Sequence, residues 1–157
     1  MRIAIVGNSG SGKSTLARRL SRDGAVPVLD LDTIAWMPGQ IAVPRPMGDA
    51  QADLRRFCDG HPDWIVEGCY GDLIGFALAW RPELRFVNPG EVVCLAHCRA
   101  RPHEPHKYRS KAEQDERLPF LLAWVSDYYR REGPLSLAGH RALYDGYDGP
   151  KQELRTA

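Results

Sequence analysis

The apolar residues fall in short unbroken runs separated by stretches of helical period. Ile3-Ala4-Ile5-Val6 is apolar throughout and meets a glycine at once, as a strand buried on both faces of a parallel sheet does. Beyond it, Leu16, Ala17 and Leu20 share one side, with Arg18, Arg19 and Arg22 mostly away from it. That spacing predicts a helix over 13–23, ended by Gly24. A second strand is expected over 26–30, with Pro27 near its start. Residues 34–48 carry three prolines and no period, and read as loop. Asp49 is placed to N-cap a helix to about residue 59, with Leu54, Phe57 and Cys58 inward. Then come a strand over 64–67, a short helix over 73–80 and a strand over 84–87, closed by Asn88-Pro89-Gly90. A helix over 91–101 precedes a basic, proline-broken loop to 109. Ser110 and Glu113 form a capping box opening a long helix to about 132, which Pro119 should kink. A fifth strand is read at 142–144, and Pro150 opens a short terminal helix.

Strands alternating with helices predict right-handed βαβ units and a mostly parallel sheet with helices on both faces. Ligands of such sheets bind beyond the carboxyl ends of the strands. The segments there are Gly7 onward, Asp30-Leu31-Asp32, Glu67-Gly68, Asn88 and Asp145-Gly146.

Gly7-Asn8-Ser9-Gly10-Ser11-Gly12-Lys13-Ser14 fits G-x-x-x-x-G-K-[ST] in full, between a strand and a helix as that motif requires. Its glycines let backbone N–H groups turn inward around a phosphate, and the following helix adds its positive end. Lys13 is expected to reach the β- and γ-phosphates of ATP, and the Ser14 hydroxyl to ligate Mg²⁺. The nucleotide-binding set is Gly7, Asn8, Ser9, Gly10, Ser11, Gly12, Lys13, Ser14 and Thr15.

Two further clusters could serve the same chemistry. Asp30 and Asp32 stand two apart at a strand end, so alternation would send both side chains off one face, beside the phosphate loop. Arg99, Arg101, Lys107, Arg109 and Lys111 crowd one stretch with Glu104 as its only acid. Mobile arginines there could clamp the charge that spreads over a transferring phosphoryl group. Arg101 and Arg109 are the expected contacts, in a lid near 101–111. Arg45, between two prolines, could meet an anionic acceptor.

The 157-residue length fits one domain, with 43% hydrophobic and 26% charged residues, an ordinary globular balance. With 21 basic against 20 acidic residues, net charge offers no drive toward nucleic acid or anionic membrane, so direct nucleic-acid binding is not expected. No apolar run approaches a membrane span, and the opening residues lack an export core. A cytoplasmic setting is therefore expected, with the four cysteines as free thiols. Cys94 and Cys98, near His97, His103 and His106, lack a standard zinc spacing.

Taken together, these residues resemble a small P-loop kinase of the nucleoside-monophosphate, shikimate and gluconate kinase type. More narrowly, the chain resembles proteins labelled DNA topology modulation proteins or adenylate-kinase-related kinases. The resemblance rests on Gly7 to Ser14, residues 31–36, Trp64 to Tyr70, and the basic stretch from Arg99 to Lys111. It implies a three-layer P-loop NTPase fold, α/β, with a five-stranded parallel sheet in the order 2-3-1-4-5 and a mobile lid. Asp30-Leu31-Asp32 matches the D-x-D of shikimate-type kinases. By that likeness Asp30 holds a Mg²⁺-bound water, and Asp32 orients the acceptor and takes the proton of an attacking hydroxyl. Glu67-Gly68 stands where adenylate-kinase-like proteins place Asp-Gly, so Glu67 joins Ser14 and Asp30 as a metal candidate. The family's arginine shortly after is absent, and Cys69-Tyr70-Gly71-Asp72 takes its place. The expectation is ATP-dependent phosphoryl transfer to a small metabolite or nucleotide, no membrane being involved. The alternative is a nucleotide-binding regulator or slow ATPase without a small acceptor.

Overall fold

The strand nearest the N-terminus becomes the middle of the sheet. The computed structural model describes residues 1–40 and 43–157. In it β1 (Arg2–Gly7) pairs in parallel with β3 (Trp64–Gly68) on one side and β4 (Glu83–Val87) on the other. Outside these lie β2 (Val28–Asp30), parallel to β3, and β5 (Lys151–Leu154), parallel to β4. The sheet order is therefore 2-3-1-4-5, as the resemblance to the P-loop kinases implied.

The apolar run of β1 explains its place. Ile3 and Ile5 face one layer, with Leu16 and Ala17 of α1 (Lys13–Leu20). Ala4 and Val6 face the other, with Leu54 and Cys58 of α3 (Met47–Gly60) and Leu73, Ile74 and Ala77 of α4 (Gly71–Ala77). Helices thus cover both faces. Alternation with both sides filled requires an unbroken apolar strand. A third small cluster, Cys94, Cys98 and Val125, joins α5 (Glu91–Arg99) to α6 (Lys111–Asp127). Among the described residues no helix is long and apolar enough to cross a membrane.

Several boundaries differ from expectation, each for a local reason. The first helix stops at Leu20, and Arg22, Asp23 and Gly24 all take positive φ in the turn beyond it. The stretch read as loop contains α2 (Asp32–Ala35) and a bridge from Trp36 to Pro44; residues 41 and 42 lie outside the described residues. The third helix begins at Met47, with Pro46 at its N-cap position rather than Asp49. Ser110 does cap α6, accepting from the Glu113 N–H at 3.1 Å, while the Glu113 carboxylate turns to the Arg109 N–H at 3.1 Å. That helix ends at Asp127, with Pro119 inside it.

The chain end corrects the reading most. Residues 142–144 belong to a helix, α7 (Leu137–Gly146), capped by the Ser136 hydroxyl accepting from the Gly139 N–H at 3.0 Å. The fifth strand comes later, at Lys151–Leu154, where a helix was expected. It is an edge strand whose first two residues are exposed. Pro150 stands just before it, where a proline costs no ladder hydrogen bond.

His140 on α7 is fully buried. Its Nε2 faces the Cys69 carbonyl at 2.8 Å and its Nδ1 faces the Tyr128 hydroxyl at 2.8 Å. A carbonyl only accepts, so Nε2 carries the proton and Nδ1 accepts from Tyr128. Burial drives its pKa down to about 4. Below the ordinary histidine value of 6.5 the unfolded chain binds a proton that the folded chain refuses. Stability should therefore fall by about 3 kcal/mol as pH drops from 6.5 to about 4. Urea unfolding across that range checks this, and His140→Gln should lose that part of the slope.

Candidate functional site

The loop from Gly7 to Gly12 leaves β1 and enters α1 without a spare atom. Gly10 has φ 77° and Gly12, at the start of α1, φ 98°. A methyl group at Gly10 would stand 2.3 Å from the Cys94 carbonyl oxygen and 2.8 Å from the Cys98 sulfur. The loop is thus seated directly on α5. His97 Nδ1 lies 2.6 Å from the Gly10 carbonyl, and the Asn8 side-chain amide donates to the Val125 carbonyl on α6 at 3.0 Å. Lys13 is buried, with its ammonium donating to the Asn8 carbonyl at 2.8 Å. The Ser11 hydroxyl is buried with no partner among the described residues. Thr15 follows Ser14 in the first turn of α1.

The sheet register brings carboxylates to this loop. Glu67 is the register partner of both Ile5 and Asp30. Ser14 donates to Glu67 Oε1 at 2.6 Å, so two of the metal candidates touch. Burial raises the Glu67 pKa; Lys13 opposes this and Asp30 adds to it. Burial raises Asp30 too, with the Asp32 charge adding to the rise. Two carboxyls held above their usual range in one corner are poised for a cation to relieve them.

Asp32 reaches the same place by another route than strand alternation. The strand ends at Asp30, Leu31 is already helical, and Asp32 opens α2. The Asp30 Oδ1 accepts from the Asp32 N–H at 2.9 Å, a local turn that brings both carboxylates to one edge. Asp32 then holds two partners from far along the chain. Its Oδ1 accepts from the Tyr70 hydroxyl, and its Oδ2 lies 3.0 Å from the Lys107 ammonium. Burial alone would raise its pKa, but Lys107 and the Tyr70 hydrogen bond outweigh that and hold it low. Lys107 is raised in turn, because Asp32 and Glu104 outweigh its own burial.

Lys107 and Tyr70 are the site residues that sequence reasoning did not single out. Each lay inside a stretch already marked, the basic run and the segment after β3, but no spacing rule links them to Asp32. Arg101 and Arg109 stand apart from the phosphate loop. Arg101 lies 3.9 Å from Glu104, and Arg109 is exposed. Among the described residues no hydrogen bond or ion pair joins either side chain to the phosphate loop. The basic segment is braced by Gln114, which accepts from the Glu104 N–H at 2.7 Å and donates to the Pro102 carbonyl at 2.9 Å. His103 turns inward to the Tyr108 carbonyl at 3.0 Å, away from Cys94 and Cys98 in their own buried cluster.

A cavity of about 150 Å³ opens beside Asp32 and Tyr70, between α2, α3 and α4. Arg45 lines it, but its Nη1 is taken by the Ile34 carbonyl at 2.9 Å and by Asp53 at 2.7 Å. A second groove of about 240 Å³ runs from Ser14 and Glu67 along Arg18 and Ser21 to Val28.

This architecture matches solved kinases in fold. A sugar kinase from Janibacter superposes with a TM-score of 0.53 at 14% identity, over 98% of this chain and 83% of that one. A shikimate kinase from Bacteroides thetaiotaomicron gives 0.49 at 20% identity over 78% and 76%. A deoxyadenosine kinase from M. mycoides with bound dATP gives 0.48 at 12% over 98% and 90%. No protein-family model matches the sequence, and no curated protein matches it. The chain has the fold of the P-loop kinases, shown by its strand order and by the likeness to the sugar kinase; at such identity the likeness is one of fold.

The seating of the loop on α5 is testable. Gly10→Ala should cost about 2 kcal/mol or more, since it meets both a positive φ and the Cys94 carbonyl. Gly24→Ala, also at positive φ but with nothing within 4 Å, should cost only about 1 kcal/mol. Paired chemical unfolding of the two variants measures the difference.

Proposed function

We propose that the protein is a Mg²⁺- and ATP-dependent phosphotransferase that moves the γ-phosphoryl group of ATP to a hydroxyl of a small acceptor. One observation carries this reading. Lys13, the Ser14–Glu67 contact and the Asp32–Lys107 pair converge at the carboxyl ends of β1, β2 and β3. The donor set fits a nucleotide phosphate. The orphaned Ser11 hydroxyl is a donor in need of an acceptor, and so is an ammonium resting on its own loop's carbonyl. Phosphate oxygens serve both better than a neutral carbonyl does.

Ser14, Glu67 and Asp30 are the residues that would hold Mg²⁺, directly or through water. Mg²⁺ in such sites draws most of its remaining ligands from water and phosphate, and it neutralises charge developing on the phosphates. Lys13 turns from the Asn8 carbonyl to the phosphates. Asp32 aligns the acceptor hydroxyl and takes its proton, with Tyr70 fixing the carboxylate from the other side. For this, Lys107 must yield one carboxylate oxygen, and the freed ammonium then lies beside the phosphoryl group. Lys107 joins Arg101 and Arg109 as a lid cation, and the two arginines reach phosphate only as the lid shifts from its present seat.

Lys13→Ala should lower kcat/KM for ATP at least a hundredfold, about 3 kcal/mol, with melting little changed. Asp32→Asn should keep nucleotide binding and lose transfer, because an amide cannot take the proton. A coupled ADP-release assay and nucleotide titration check both. Wild-type turnover in Lys13→Ala overturns the phosphate-loop role. ATP turnover that no acceptor raises above the water background favours the slow ATPase instead.

The lid is held weakly in the free protein. Both partners of the Lys107–Asp32 pair are about a third exposed, and such a pair contributes about 1 kcal/mol at most. Hydrogen exchange in 101–111 should be fast in the free protein and slow when Mg²⁺ and a non-hydrolysable ATP analogue are added. Lys107→Met should speed exchange there without changing it in β1. Equally slow exchange with and without ligand would make the segment a fixed loop.

A further inference from the structure

Building on the phosphotransferase reading, we infer that the acceptor is a small alcohol without negative charge, a polyol or amino alcohol of about monosaccharide size, bound in the cavity beside Asp32 and Tyr70. Phosphomonoesters and carboxylates are excluded from it.

The inference rests on the charges of the cavity wall. Among the described residues that line it, the one cation is Arg45. Its side chain is four-fifths buried, and its charge is already met by Asp53 at 2.7 Å and the Ile34 carbonyl at 2.9 Å. The other oxygen of Asp53 accepts from Arg56 at 2.9 Å, so Asp53 is held on both sides and does not release Arg45. Asp72 also lines the cavity. Its carboxylate accepts from the Leu73 N–H at 2.8 Å and makes no ion pair among the described residues. Asp32 stands behind the wall, its Oδ1 accepting from the hydroxyl of the lining Tyr70, and its ion-pair partner among the described residues is Lys107. An anionic acceptor would thus meet the Asp72 carboxylate on the wall, with Asp32 behind Tyr70, and the one lining cation would already be paired with Asp53. An uncharged hydroxyl compound meets no such repulsion, and an ammonium group would find Asp72.

Size and surface agree with this. The cavity holds about ten times the least volume that takes one water, enough for a single ring. Trp36 and Tyr70 both line it and meet edge to face on its wall, centroids 5.9 Å apart at 75°. With Leu73 and Leu135 they give an apolar wall for the carbon face of a ring, and an acceptor hydroxyl is to reach Asp32 past the Tyr70 hydroxyl that bonds it. A mostly apolar pocket with a few placed polar groups is how small ligands are oriented. The reaction on this reading breaks the bond from the γ-phosphorus to the bridging oxygen of ATP and forms one to the acceptor oxygen. The bridging oxygen leaves on ADP, and the hydroxyl proton passes to Asp32.

The test uses charge-matched acceptors that all keep a hydroxyl. Glucose is set against gluconate, glycerol against glycerol phosphate, inositol against inositol monophosphate, and ethanolamine against glycolate. ADP release with Mg²⁺-ATP and quenching of tryptophan fluorescence are both read. At least one uncharged or cationic member should be bound and phosphorylated, about tenfold or more better than its anionic counterpart, the effect of one unpaired charge at the wall. Asp53→Asn, which frees Arg45, and Asp72→Asn, which removes the wall charge, should each narrow that gap, with nucleotide affinity unchanged. An anionic member that is bound and phosphorylated as well as its counterpart overturns the inference and leaves phosphoryl transfer standing. Tight Mg²⁺-ATP binding with no panel member bound or phosphorylated overturns it too. Failure to bind Mg²⁺-ATP at all overturns the phosphotransferase reading, and this inference with it.

Discussion

The structure depends on β1 being filled on both faces and paired on both edges. Ile3, Ala4, Ile5 and Val6 are almost wholly out of water, and every neighbour runs parallel to them. A parallel sheet puts all its carboxyl ends on one rim. Val6 is level with Gly68, Gly7 with Val87, and Asp30 with Glu67. The chain leaving β1 turns at that rim, and the chains leaving β2 and β3 leave their carboxylates there. Glu67 and Asp30 therefore sit together because register puts them together. Their raised pKa values measure how unwilling they are, and hydrophobic burial elsewhere outweighs that local cost.

What was legible in the sequence follows from the same physics. β1 could be read because a strand buried on both sides must be apolar at every position. The phosphate loop could be read because Gly10, at positive φ against the Cys94 carbonyl, and Gly12, at positive φ against Ala157, leave little choice of residue. The start of α6 could be read from Ser110, since a cap is a local bond. β5 could not, because a polar edge strand such as Lys-Gln-Glu-Leu carries no period of its own and owes its form to Phe86 and Val87 beside it. The mistaken strand at 142–144 has the same root. Three apolar residues in a row do not tell a strand from one turn of a helix. Of the site, the residues fixed by local chain geometry were visible. Lys107 and Tyr70 were not, because their bond to Asp32 spans 75 and 38 residues and depends on where α4 and the basic segment fold back.

The contact between Lys107 and Asp32 also sets how the basic segment can behave. The segment carries its own framework through Gln114. It is tied to the rim mainly by one ion pair whose ends are both in reach of water. A braced loop on a weak tether opens at little cost and closes in one form. That combination suits a cover that must admit a nucleotide and then shut water away from it.

The rim sets donors and carboxylates side by side, with Glu67 and Asp30 next to the loop's donors. On the side of α1 stand Lys13, the Ser11 hydroxyl and the inward-turning loop, all donors with weak or no partners. On the side of α2 and α4 stand Asp32 and Asp72, with Arg45 already matched to Asp53. A proton released at the cavity has Asp32 beside it. For the proposed transfer, the donors on the α1 side suit the phosphate-bearing partner and Asp32 suits a hydroxyl, so the proposed direction of transfer follows from where these groups stand.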